Sequence, residues 1–222
     1  MDEKLGDMTG SERTIVHLVR HGEVYNPGKV LYGRMPGFKL SELGHEMAQL
    51  TAAYLADNDI AHLVSSPLER AQQTIEPLAE AAKLPVALDD RVIEADNDFE
   101  GMTVGAQPRQ LLQPRFWPKL VNPIKPSWGE PYAHIATRMR TAIDDARVQA
   151  EGREAVIVSH QLPVWIARLD AEHRRLWHNP RHRECTLASV TSLTFRGPDV
   201  TMVTYAEPAA ALLPRASAVA GA

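Results

Sequence analysis

Apolar positions along the chain recur with two different periods. Ile15-Val16-His17-Leu18-Val19, Ala61-His62-Leu63-Val64 and Ala155-Val156-Ile157-Val158 are short runs bounded by polar residues, and each predicts a strand. Helical spacing appears between them. Leu43, Met47, Leu50 and Tyr54 mark one face of a helix over 42–57, with Ser41 as its N-cap. Ser66-Pro67-Leu68-Glu69 combines a capping box with proline at the first helical position. Leu68, Ala71, Ile75, Leu78 and Ala82 continue that second helix, with a bend expected near Pro77. Tyr132, Ile135, Met139, Ile143 and Ala146 mark a third, and Pro163 opens a short fourth. Residues 186–205 read as two strands around Arg196-Gly197-Pro198-Asp199.

This alternation predicts an α/β fold, a three-layer sandwich whose mostly parallel sheet carries helices on both faces. Ligands of such sheets lie beyond the carboxyl ends of the strands. Residues 1–12 lack periodicity and read as a flexible arm, and 207–222, rich in alanine, as a flexible tail. The span 13–206 reads as one domain without internal repeats.

Composition narrows the function classes. The chain has 222 residues, 44% of them hydrophobic, which is too apolar for overall disorder. No apolar run approaches the ~18 residues of a membrane span, and the first residues lack the apolar core of a secretory signal. A single cysteine, Cys185, has no partner for an internal disulfide. The chain is therefore expected in the cytoplasm, with no membrane partner. A net charge of −4 argues against a nucleic-acid partner, yet leaves room for a small cationic pocket.

Three segments fall where the strands end. Arg20-His21-Gly22-Glu23 follows the first: a neutral imidazole is a nucleophile, and a neighbouring guanidinium suits phosphate oxygens. Arg70 lies in the first turn of the second helix, where the helix terminus also favours anions. His160 ends the third strand run. Alone, the Arg20-His21 segment reads equally as a solvated turn, while Arg70 reads more readily as a surface residue and His160 as a structural one; their joint placement makes the signal sharp.

Arg20-His21-Gly22-Glu23, Ser65-Ser66-Pro67-Leu68-Glu69-Arg70-Ala71-Gln72-Gln73-Thr74, Glu94 and Val158-Ser159-His160, in that order, resemble the histidine phosphatase superfamily, the phosphoglycerate mutase-like proteins. The resemblance covers roughly residues 14 to 205. It implies that His21 attacks phosphorus and becomes a transient phosphohistidine. Arg20, Arg70 and His160 would hold the phosphoryl oxygens, with a further hydrogen bond from Asn26. Glu94 would be the general acid and then the base, with Asp96 and Asp98 as competing carboxylates. The implied activity is a phosphomonoester hydrolase acting on a small phosphorylated metabolite, without metal or other cofactor. A phosphoglycerate mutase is the alternative, and a non-catalytic phospho-ligand binder is the non-enzyme reading. Homodimer formation is left open.

The chain departs from the family pattern in places. Gln161 stands where a glycine usually follows the second histidine, and Val24 where serine or threonine is common. The mutases' adjacent arginine pair is missing from the insertion over 102–131, which tilts the reading towards a phosphatase. That proline-rich insertion, with Phe116, Trp117 and Trp128, reads either as a lid over the site or as a packed surface excursion. His173, His178, His182 and Cys185 have metal-like spacing, but Asn179-Pro180 interrupts any helix that would align them. The basic stretch from His173 to Arg183 reads as a solvated loop, a docking patch or a second rim of the pocket.

Overall fold

A computed structural model describes residues 13–103 and 129–217. Strands β1 (Arg13–Arg20), β2 (Ile60–Ser65), β3 (Val86–Leu88), β4 (Glu154–Ser159), β5 (Val190–Arg196) and β6 (Asp199–Ala206) form one sheet in the order β3-β2-β4-β1-β5-β6. β1, β4, β2 and β3 pair in parallel, and β5 and β6 add an antiparallel hairpin beside β1. The expected α/β sandwich is therefore present, with a mixed sheet.

Helices α1 (Glu42–Leu55), α2 (Glu69–Ala82), α3 (Tyr132–Ala150) and α4 (Gln161–Ala171) cover the two faces. Side chains alternate across a strand. Val16 and Leu18 accordingly join Ile157 and the apolar stripes of α3 and α4, whereas Val19 joins Val156, Val158 and Leu63 under α1 and α2.

Several local expectations need correction. α1 buries Gly44, Ala48, Thr51 and Leu55 beside Leu43 and Met47, while Leu50 and Tyr54 are exposed. Small residues let α1 approach closely, a face that a count of large apolar residues does not find. Ser41 does cap α1, its Oγ accepting from the Gly44 N–H at 3.0 Å. No capping box starts α2: Leu68 is the N-cap without a side-chain bond, while Ser66 Oγ accepts from the Leu68 N–H at 3.3 Å and lies 2.8 Å from His160 Nε2. α2 continues through Pro77. β3 was not expected; three residues with two exposed give no periodic signal.

The tail is also corrected over its described part. A 3-10 helix at Ala210–Arg215 packs beside α1, with Ala209 buried against Leu43, Met47 and Ala188. Arg215 pairs with Glu46 at 2.9 Å, and the Ser217 N–H donates to Glu23 Oε1 at 2.6 Å. The arm over 1–12 and most of the insertion, 104–128, lie outside the described residues.

Candidate active site

The central strands β2, β4 and β1 run parallel, so their carboxyl ends open on one edge. His21 follows β1, Ser66 follows β2 and His160 follows β4. Backbone bonds continue the ladder past the strand ends: His21 N–H donates to the Ser159 carbonyl at 3.1 Å, and Ser66 N–H to the Val158 carbonyl at 2.9 Å. This extension fixes both imidazoles on rigid backbone. Their rings meet edge to face, with centroids 5.2 Å apart.

His21 is fully buried, and its Nδ1 donates to the Gly22 carbonyl at 2.7 Å. That bond places the ring proton on Nδ1 and the lone pair on Nε2, which has no partner. Burial, then the charges of Arg70 and Arg20, hold the His21 pKa well below its ordinary value. The ring is therefore a neutral imidazole at neutral pH, with a free lone pair on Nε2. His160 is likewise depressed, first by burial and then by Arg70. Its Nε2 lies 2.8 Å from Ser66 Oγ, and its Nδ1 is buried without a partner.

Arg20 donates to the Cys185 carbonyl at 2.8 Å and Arg70 to the Gly33 carbonyl at 2.6 Å, and the Nε of each is buried without a partner. Tyr32 lies under Arg70, its centroid 4.8 Å from the guanidinium carbon. Two buried guanidinium groups without a carboxylate counter-ion are costly unless an anion completes them. Thr74, one turn after Arg70, accepts from the Gly22 N–H at 3.1 Å and donates to the Arg70 carbonyl at 2.7 Å. It thereby ties α2 to the nucleophile's loop.

Glu94 follows a short 3-10 turn at Asp90–Val92. Its Oε1 accepts from the Ala95 N–H at 2.8 Å, and Oε2 is buried and unpartnered. Desolvation raises its pKa despite the opposing charges of Arg70, Arg20 and Arg183. Asp96 and Asp98 are exposed, so Glu94 alone of the three carboxylates is buried. It borders a cavity of about 140 Å³ that also touches Gly33, Tyr132, Leu162 and Arg183.

Five of the sequence-derived residues are placed around this edge: His21, Arg20, Arg70, His160 and Glu94. Asn26 closes its own loop, its amide donating to the Val30 carbonyl at 2.8 Å and accepting from the Val30 N–H at 3.2 Å. Val24 is buried in a bridge to Leu40. Tyr32, Ser66, Thr74 and Arg183 were not singled out as site residues. Ser66 and Thr74 lie inside the quoted run around Arg70, which was the available signal. Nothing in the sequence marked Tyr32. Among the described residues no three His, Cys, Asp or Glu side chains form a group able to hold a metal ion.

The family model for the histidine phosphatase superfamily (branch 1) matches residues 16–208. The chain belongs to this superfamily. Among its relatives, the uncharacterized protein Rv0525 of Mycobacterium tuberculosis (strain ATCC 25618 / H37Rv) is 53% identical over 199 residues, covering 90% of this chain and 98% of the relative. Phosphoserine phosphatase 1 of Hydrogenobacter thermophilus (strain DSM 6534 / IAM 12695 / TK-6) is 30% identical over 172 residues, covering 72% and 78%. Among solved structures, the mycobacterial glucosyl-3-phosphoglycerate phosphatase Rv2419c superposes with a TM-score of 0.69 at 25% identity. That match covers 87% of this chain and 96% of the other.

Proposed function

We propose that the protein is a metal-independent phosphomonoester hydrolase that works through a phosphohistidine on His21. The observation carrying this reading is the buried, unpartnered Nε2 of a neutral His21 beside two arginines that lack counter-ions. In the first step the Nε2 lone pair attacks phosphorus and the ester oxygen departs. Arg20, Arg70 and His160 Nδ1–H stabilise the phosphoryl oxygens as charge redistributes. Protonated Glu94 gives its proton to the leaving alkoxide. In the second step Glu94, now a carboxylate, takes a proton from water as that water attacks the phosphohistidine. Phosphate leaves, and both His21 and Glu94 return to their starting states. The positive charge that a metal would supply comes from the two guanidinium groups. The substrate is a small phosphorylated metabolite, in keeping with the small cavity beside Glu94.

The test is phosphate release from a panel of phosphomonoesters in EDTA, with acid-labile phosphate on the protein as a second readout. Wild-type protein is expected to release phosphate and to carry the label. His21→Ala, folded by circular dichroism, is expected to lose both, with turnover down by ~10³ or more. Near-normal turnover in that variant overturns the reading. Rapid interconversion of 3- and 2-phosphoglycerate with negligible phosphate release would assign the same phosphohistidine to a mutase.

A further inference from the structure

Glu94 stands on irregular chain after the 3-10 turn at Asp90–Val92, outside any helix or strand that would hold its backbone. Its carboxyl is tied only by the Ala95 N–H, and Oε2 is unpartnered. The place of that carboxyl is therefore set by the main chain beneath it. Carbonyls of such a stretch need donors from elsewhere. Three receive them from side chains: Arg91 from Arg138 Nη1 at 2.5 Å, Val92 from Ser159 Oγ at 2.6 Å, and Glu94 itself from Arg34 Nε at 2.7 Å.

The two arginines converge on one carboxylate. Glu130 precedes α3 and is withdrawn from solvent, its side chain 7% exposed. Arg138 meets it with two parallel bonds, Nε to Oε1 at 2.8 Å and Nη2 to Oε2 at 2.9 Å. Arg34 Nη2 adds a bond to Oε2 at 3.1 Å, and His134 Nδ1 lies 2.7 Å from Oε1. A guanidinium is a rigid planar fork, so fixing one edge aims the remaining nitrogen. Glu130 thus aims Arg138 at the carbonyl three residues before the acid and Arg34 at the carbonyl of the acid. Arg34 also follows Gly33, whose carbonyl receives Arg70. One short segment therefore holds both the phosphate-facing arginine and the backbone of Glu94.

We infer that Arg34 is a positioning residue for Glu94: held by Glu130, it fixes the main chain of the acid and so the place of Oε2 relative to His21. This rests on the reading of Glu94 as general acid given above. Attack by His21 on phosphorus does not pass through Arg34, whereas protonation of the departing oxygen does, and a misplacement of about 1 Å can cost ~10²-fold. Loss of the Arg34 side chain should be tolerated by the fold. Arg138 still pairs both oxygens of Glu130, so no buried charge is left alone, and the Arg34 N–H keeps its own bond to Glu100 Oε1 at 2.7 Å.

The experiment measures single-turnover phosphorylation of His21 in wild type, Arg34→Met, Glu94→Gln and the double variant. The donors are p-nitrophenyl phosphate and the alkyl phosphate of the panel, such as glycerol 3-phosphate, that wild type cleaves fastest. Arg34→Met is expected to lower the alkyl-to-aryl rate ratio by about tenfold or more. In the Glu94→Gln background the same change should lower it by less than about twofold, because no acid is left to position. A general loss of structure would slow both esters alike and would add to Glu94→Gln. If Arg34→Met fails to fold, Arg34→Lys carries the test: it keeps a charge beside Glu130 without the fork, and its ratio should fall between those of wild type and Glu94→Gln. An unchanged ratio in the Arg34 variants, or a full further loss in Glu94→Gln, overturns the Arg34 assignment, while a ratio lowered by Glu94→Gln alone keeps Glu94 as the acid. A ratio unmoved by Glu94→Gln, or wild type phosphorylated by neither ester, overturns both.

Discussion

Proton placement decides what each residue at the site can do. His21 stays neutral because burial and two guanidinium groups oppose its protonation, and Glu94 stays protonated above its ordinary pKa because burial opposes its ionisation. Their pKa values are thus moved in opposite directions, as an acid and a nucleophile in one pocket require. The pH dependence follows. Cleavage of alkyl phosphates should fall as pH rises through the raised Glu94 pKa, because the acid is lost, whereas an aryl phosphate needs little protonation of its leaving group. Glu94→Gln should therefore slow single-turnover cleavage of alkyl phosphates by ~10²-fold or more and of p-nitrophenyl phosphate much less. Equal slowing of the two in stopped-flow runs would remove Glu94 as the acid. The sequence carried His21, Arg20, Arg70 and His160 plainly, since each ends or directly follows a strand or lies in the first turn of a helix. Arg183 was carried only within a basic stretch offered, among other readings, as a second rim of the pocket, and Tyr32, which lies against Arg70, not at all. Nor does any sequence pattern announce that the Asn26 amide also closes its own loop on Val30.

At the scale of elements, two glycines set how near the nucleophile's loop comes to α1. A Cβ on Gly44 would lie 2.0 Å from the Glu23 carbonyl oxygen, and one on Gly22 would lie 2.6 Å from the Gly44 carbonyl oxygen. Both obstacles are backbone, so neither can swing aside as a flexible side chain would. Gly44→Ala should cost ~1–3 kcal/mol by overpacking, lowering Tm by about 3–10 °C for a domain of this size. It should also reduce turnover by displacing Glu23, two residues from His21; a calorimetric scan with a parallel assay checks both. Unchanged Tm and turnover would show that α1 can back away freely. The helices were legible wherever large apolar residues kept a 3.6 period, as at Ile135, Met139 and Ile143 on α3. They were misread wherever small residues formed the contact, as at Gly44, Ala48 and Thr51. The start of α2 was misread by two residues: the Ser66 hydroxyl accepts from the Leu68 N–H and also meets His160, almost a hundred residues away in the chain, but Leu68 is the N-cap.

For the whole molecule, strand alternation gave the sandwich, and the strand ends gave the edge on which the site lies. The sheet order was not legible, because β1, first in the chain, pairs with β4 and β5, which come late. The tail was misread because an alanine-rich composition gives no sign that Ala209 fills a depression beside Met47. Ending the chain after Ala206 should lower Tm while preserving acid-labile labelling of His21. Ending it after Ala188 should abolish labelling, since β1 then loses its β5 neighbour. Labelling of the shorter protein at wild-type level would contradict the structural role assigned to that pairing. The same strand order has a consequence during synthesis. When the N-terminal third of the chain leaves the ribosome, its nucleophilic histidine lies on a strand with neither lateral partner. That strand waits until β5, some 170 residues later, has emerged. Until then the nascent protein exposes an apolar β-run to solvent and to chaperones. The pocket around His21 is therefore completed almost at the end of translation.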